Sequence, residues 1–188
     1  RTAGENFDKV VLLVDDRETL AHFWSIPWTM ALLGSDWRLQ IVTREKSRPF
    51  YRAIVDHYDL RGAFIDTFED RYGYGPWIPD PFMHRVQFML STQFWEGIRA
   101  EYIMVIQDNG VPMRRIDSDE IVALTEELFK YGYAGAPWNL EESNRPGGNG
   151  GFSFRKRSVL MQHAIELNVH FKDLLRETTD LNPLGQDN

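Results

Sequence analysis

Short apolar runs alternate with longer amphipathic stretches along the chain. Val10-Val11-Leu12-Leu13-Val14 is continuously apolar and stops at Asp15-Asp16-Arg17. Such a run predicts a strand buried on both faces. Residues 19–33 read as a helix, interrupted near Pro27, where proline removes a backbone donor. Gly34-Ser35-Asp36 reads as a turn, residues 37–42 as a second strand, residues 49–58 as a short helix and residues 63–66 as a short third strand. Residues 70–81 carry too many glycines and prolines for regular helix, and residues 82–97 read as helix by length and composition. Residues 102–106 form the second strongly apolar strand, which ends at Gln107-Asp108-Asn109-Gly110.

Asp117 with Glu120 suits a capping pair for a helix whose face carries Ile121, Leu124, Leu128 and Phe129. Residues 131–138 suggest a strand and a turn. A glycine loop over 145–151 leads into Phe152-Ser153-Phe154-Arg155. Ser158 is placed to cap a last helix, with Leu160, Ala164, Leu167, Phe171 and Leu174 on its buried stripe. The tail from Thr178 is polar and irregular. Strands alternating with helices predict an α/β sheet, and ligands of open α/β sheets sit beyond the carboxyl ends of the strands. The acidic clusters at 15–17 and 108–109 should therefore meet at one edge.

Composition narrows the function. With 188 residues and 43% hydrophobic content, the chain fits one compact domain with a real core. Its net charge of −7 argues against general nucleic-acid binding. No apolar run reaches the ~18 residues of a membrane span, and no signal-peptide pattern opens the chain. The absence of cysteine excludes disulfides and thiolate metal sites. A start at Arg1 fits a trimmed piece. A cytosolic home fits, as does a lumenal one if an anchor was removed.

Two segments carry candidate chemistry. Asp108 and Asn109 offer hard oxygen ligands at a strand end, suited to Mg2+ or Mn2+ beside a diphosphate. Asp-Asn-Gly is equally ordinary turn chemistry. Gly147-Gly148-Asn149-Gly150-Gly151 lets backbone N–H groups approach a ligand closely. Arg145, Arg155, Lys156 and Arg157 flank it with the positive charge an anionic ligand requires. A flexible loop before a solvated basic turn gives the same pattern. No Walker loop, dinucleotide fingerprint or nucleophile elbow is present. His22, His57, His84, His163 and His170 are scattered and read as structural or surface residues. Trp24, Trp28 and Trp95 read as core. Trp77 and Trp138, in proline-rich loops, could stack on a sugar or base.

The motifs together resemble a family of poorly characterised proteins related to GT-A glycosyltransferases. They are Asp15-Asp16-Arg17, Trp37-Arg38-Leu39-Gln40-Ile41, Phe94-Trp95, Gln107-Asp108-Asn109 (where relatives have a Gln-Thr-Asp-Ser-type motif), Gly135-Ala136-Pro137-Trp138 and Gly148-Asn149-Gly150-Gly151-Phe152-Ser153-Phe154-Arg155. The resemblance implies a GT-A-like (Rossmann-like) fold, with a mixed, mostly parallel sheet flanked by helices. It implies one nucleotide-sugar-binding domain over 1–188, either whole or as a C-terminally incomplete piece of a longer protein. It further implies a UDP- or GDP-sugar donor, a carbohydrate or other hydroxyl acceptor, and Mn2+ or Mg2+. On that pattern Val14, Asp15, Asp16 and Arg17 lie by the base and ribose. Gln107, Asp108 and Asn109 stand at the metal motif, with Asn109 where the family has Asp. Gly148, Asn149, Gly150, Gly151, Ser153 and Arg155 line the donor sugar. Gln186-Asp187 matches a late Glu-Asp pair, so Asp187 is the expected base that deprotonates the acceptor.

The expected activity is sugar transfer from a nucleoside diphosphate to a hydroxyl. Two alternatives remain: a non-catalytic nucleotide-sugar-binding module with a degenerate metal motif, and a sugar nucleotidyltransferase. The latter needs a basic phosphate loop near the N-terminus, where only Arg17 follows Val14.

Overall fold

The computed structural model describes residues 7–69, 89–115, 123, 126–137 and 148–167, with the backbone alone at 137, 148 and 149. The elements are β1 (Lys9–Val14), α1 (His22–Leu33), β2 (Trp37–Thr43), α2 (Arg48–His57), β3 (Phe64–Thr67), α3 (Thr92–Gly97), β4 (Tyr102–Ile106), β5 (Tyr133–Pro137) and β6 (Gly148–Lys156). A last helix, α4, covers 157–167. The strands form one sheet in the order β3-β2-β1-β4-β6-β5. β3, β2, β1 and β4 run parallel, whereas β6 lies antiparallel to both β4 and β5. This is the α/β sheet that the strand and helix pattern predicts, in the mixed, mostly parallel form that the GT-A resemblance implies.

The apolar runs form central strands because each has a covered face on either side. Val11, Leu13, Ile41, Met104 and Ile106 face one core, closed by Ile26 and Leu33 of α1 and by Tyr51, Ile54 and Val55 of α2. Val10, Leu12, Val42, Ile103 and Val105 face the other, closed by Phe94 and Trp95 of α3, by Ile98, and by Ala164 of α4. Burying one such side chain contributes roughly 1.5–3 kcal/mol. One buried polar group keys the strands together. Gln40 Nε2 donates to Asp66 Oδ2 and to the Gly97 carbonyl, while its Oε1 accepts from the Arg99 backbone N–H.

Several local expectations are corrected. α1 begins at His22 after a turn closed by the His22 N–H on the Thr19 carbonyl, and it continues through Pro27 without a break. Trp24 and Trp28 are half exposed rather than core, while Trp95 is buried. The helix expected over 82–97 is not continuous in its described part. α3 starts only at Thr92, where Ser91 Oγ accepts from the Phe94 N–H. Ser158 does not cap α4, because the helix begins at 157 and the hydroxyl donates to Glu101. Leu167 is 48% exposed and stands off the buried stripe. Asp117, Glu120, Ile121, Leu124, Phe171 and Leu174 lie outside the described residues.

Candidate active site

β1 and β4 are neighbours, but the chain leaves β1 toward β2 on the other side. The strand order therefore reverses between β1 and β4, and ligands of open α/β sheets sit beyond the carboxyl ends of the strands at such a point. Asp15 and Asp108 follow those ends directly, and Arg17 joins them. Its Nη2 lies 2.6 Å from Asp15 Oδ2 and 3.3 Å from Asp108 Oδ1. Its Nε and backbone N–H also donate to Asp15. The two acidic clusters thus meet at one edge, as their positions in the sequence require.

Asp15 is only 1% exposed. Burial pushes its carboxyl up, but the hydrogen bonds and charge of Arg17 outweigh this and hold it below the ordinary carboxylate value. The same bonds raise the Arg17 guanidinium, whose side chain is half in water. Asp16 turns aside and pairs with Arg44 at 3.0 Å, and the Asp16 carbonyl accepts from Ser47 Oγ. Val14 is partly buried at the end of β1, packed toward the α3 side.

Two residues read as incidental in the sequence complete this network. His22, at the start of α1, is fully buried, with Nε2 3.7 Å from Asp15 Oδ2. Tyr51 of α2 donates to the Arg17 carbonyl, so its oxygen faces His22 Nδ1 as an acceptor. The Thr19 hydroxyl is the second neighbour of Nδ1, at 3.4 Å. Burial pushes His22 below its ordinary value, against the pull of Asp15 and Asp108. Burial likewise raises the Tyr51 phenol. The imidazole is therefore neutral at neutral pH. The sequence signal for both residues was weak: His22 follows β1 within one turn, and Tyr51 sits on the apolar stripe of α2.

After Asp108 the chain turns tightly. Gln107 and Gly110 form a bridge, with the Gly110 N–H on the Gln107 carbonyl at 3.1 Å. Gln107 and Asn109 point to solvent, and Asp108 is partly buried. A Cβ at Gly110 would stand 3.2 Å from the Gly151 carbonyl oxygen, so this turn packs on the glycine-rich half of β6. Beyond it, Trp28 Nε1 of α1 donates to the Pro112 carbonyl at 3.0 Å.

The glycine run is strand rather than loop. Gly148 and Asn149 pair with Pro137 and Ala136, and Ser153 pairs with Gly135 and Val105. Residues 150–152 fall between these registers as a bulge. The antiparallel direction of β6 also corrects the basic flank. Lys156 pairs with Tyr102, at the far end of β4, and Arg157 lies 3.8 Å from Glu101 there. Among the described flanking residues, only Arg155 reaches back, with Nε on Ser153 Oγ at 3.0 Å and Nη2 on the Gly150 carbonyl at 3.2 Å. The Ser153 hydroxyl donates to the same carbonyl. Tyr133 lies under the guanidinium, and burial lowers its proton affinity. Arg145, Gly147, Trp77, Trp138 and Asp187 lie outside the described residues.

The expected divalent-ion centre at Asp108 and Asn109 fits this arrangement poorly. Among the described residues, no three His, Cys, Asp or Glu side chains converge on one point. Asp15 has both oxygens engaged by Arg17, and Asp108 Oδ1 faces the same guanidinium. At ~4 Å and an effective dielectric of ~20, two unit charges repel by about 4 kcal/mol, and a divalent ion roughly doubles this. The Asp108 carboxylate works against this repulsion, and Asn109 adds no second charge to it.

Residues 83–182, more than half of the chain, match a family described as "Protein of unknown function (DUF5672)". The chain belongs to this family. Solved structures add what the DUF5672 match does not. The apo form of the glycosyltransferase GlyE from Streptococcus pneumoniae TIGR4 is similar at TM-score 0.55 and 11% identity, over 95% of this chain and 41% of GlyE. The galactosyltransferase LgtC, solved with donor and acceptor sugar analogs, is similar at TM-score 0.55 and 12% identity, over 89% of this chain and 65% of LgtC. The DUF5672 chain thus spans less than two thirds of the length of either, and its fold is that of GT-A glycosyltransferases. No curated protein matches it. Among the described residues, no helix is long and apolar enough to cross a membrane.

Proposed function

We propose that this protein binds a nucleoside-diphosphate sugar at the carboxyl ends of β1 and β4 and transfers the sugar to a hydroxyl acceptor. The observation that carries the reading is the Asp15–Arg17–Asp108 cluster, held at the point where the strand order reverses in a GT-A fold. Val14, Asp16 and Gln107 border the nucleotide, with Arg17 by the diphosphate. Gly150, Gly151, Ser153 and Arg155 line the sugar, next to Gly148 and Asn149. In the reaction the anomeric C–O bond to the diphosphate breaks, and a bond to the acceptor oxygen forms as its proton passes to a base. Asp187 stands as the proposed base.

Calorimetric titration with UDP-glucose, UDP-galactose and GDP-mannose tests the reading. Saturable binding of at least one is expected, and a folded full-length protein that binds none sinks it. Asn109 favours a second reading, in which the protein binds donors without turning them over. That reading predicts donor binding with neither transfer nor hydrolysis on long incubation.

A further inference from the structure

We infer that donor binding here is independent of a divalent ion, because Arg17 supplies the cation that faces the diphosphate. This rests on the nucleotide-sugar reading of the site and assigns its charge chemistry. The guanidinium has five N–H donors. Nε and Nη2 are spent on Asp15 and Asp108, while Nη1 bonds no described residue. The Arg17 side chain is 49% exposed, so the group stays within reach of a ligand from solvent. Asp15 is buried and gripped by two side-chain nitrogens and the backbone N–H of Arg17, which fixes the direction of the fork. Tyr51 holds the same residue from behind through the Arg17 carbonyl. A planar guanidinium held in this way leaves the N–H groups of Nη1 for phosphate oxygens.

The neighbouring ligands point the same way. A metal at Asp108 would sit against Arg17 with one partly exposed carboxylate and one neutral amide as its protein ligands. A phosphate arriving at Nη1 is drawn by the guanidinium and opposed by the Asp108 carboxylate beside it. Asp108 then acts as a local competitor for Nη2 rather than as a metal ligand. Asp16 does not add to the demand for a cation, because Arg44 neutralises it.

The test is titration of the full chain with UDP, UDP-glucose, UDP-galactose and GDP-mannose, once in EDTA and once in saturating Mn2+. Any ligand that binds should do so with affinities within about threefold of each other in the two conditions. Binding that appears only with Mn2+ overturns the inference and leaves the nucleotide-sugar reading intact. Binding of nothing in either condition overturns both. Asp108→Asn separates the two chemistries further. Removing this competitor for Nη2 should tighten binding in EDTA by about threefold, whereas a metal site would lose about tenfold or more in Mn2+. Arg17→Lys keeps a charge but loses the fork and should weaken binding in EDTA by about tenfold. An Arg17→Lys protein that melts like the parent and binds donors equally well also overturns the inference.

Discussion

The parallel and antiparallel halves of the sheet bring different kinds of polar group to the same edge. On the parallel side, Asp15 and Asp108 are carboxylates, and one arginine joins both of them. On the antiparallel side, Arg155 is held by a hydroxyl, a backbone carbonyl and an aromatic face. The first cluster sets one cation against two carboxylates inside the fold. The second keeps a partly buried cation whose described partners are all neutral. Parallel strands buried on both faces end abruptly in polar residues, so their chemistry is concentrated at the tips. The glycine-rich β6 has few polar side chains to offer at this edge, and Arg155 reaches back along the strand.

The strongest way to break this contrast is through the core under the parallel half. Leu13 is fully buried one residue from the site, and Leu13→Ala should cost about 2–5 kcal/mol in urea unfolding. A loss well under 1 kcal/mol would mean that the tip of β1 is not anchored by that core. Next comes Arg17→Ala, which strands the buried Asp15 carboxylate. Half of Arg17 lies in water, so the expected loss is about 2 kcal/mol, less than the ~3–5 kcal/mol for a fully buried pair. Unchanged thermal stability would show that Asp15 does not depend on this clamp.

Acidity sharpens the comparison further. Unfolding frees His22 to take up a proton near its ordinary 6.5, whereas the folded protein resists protonation until lower pH. Stability therefore falls as pH drops below about 6.5. Asp15, also lowered on folding, adds a second loss in the same direction below its ordinary 3.8. His22→Gln should flatten the first of these slopes in urea midpoints measured between pH 7.5 and 5.5. An unchanged slope would remove His22 from the account. The smallest expected effect lies in the antiparallel half. A Cβ at Gly150 would stand 2.8 Å from Arg155 Nη2, the mobile end of a long side chain. Gly150→Ala should therefore cost less than ~1 kcal/mol while displacing the guanidinium. The readout is altered donor affinity with near-parental melting, and a large stability loss would show that Arg155 cannot yield.

The parallel half was largely legible in the sequence. Val10–Val14 and Tyr102–Ile106 announce central strands by their unbroken apolar character, and the strand-end rule places Asp15, Arg17 and Asp108 together. The antiparallel half was less so. Nothing local in Gly148–Lys156 states that it runs against β4, and that direction alone carries Lys156 and Arg157 to the far edge. The glycines suggested a loop because glycine is weak strand material, yet pairing with β5 overrides the local preference. His22 and Tyr51 were missed for a related reason. Each sits on a different helix, and only the packing of α1 and α2 on the sheet brings both to Asp15.

The Trp28–Pro112 hydrogen bond acts as a strut beside the Asp108 turn. It ties the middle of α1 to the strip of chain leaving the Asp108 turn, and Gly110 braces that turn against β6 from the other side. The rim at Asp108 is thus pinned at two points to rigid elements, much like a door frame. Any closing over a bound donor has to bring a leaf to this frame, because bending the frame would break the strut or prise Gly110 from Gly151. On the proposed reading, a frame that holds still gives a donor phosphate a fixed target, and the cost of ordering it is met when the chain folds.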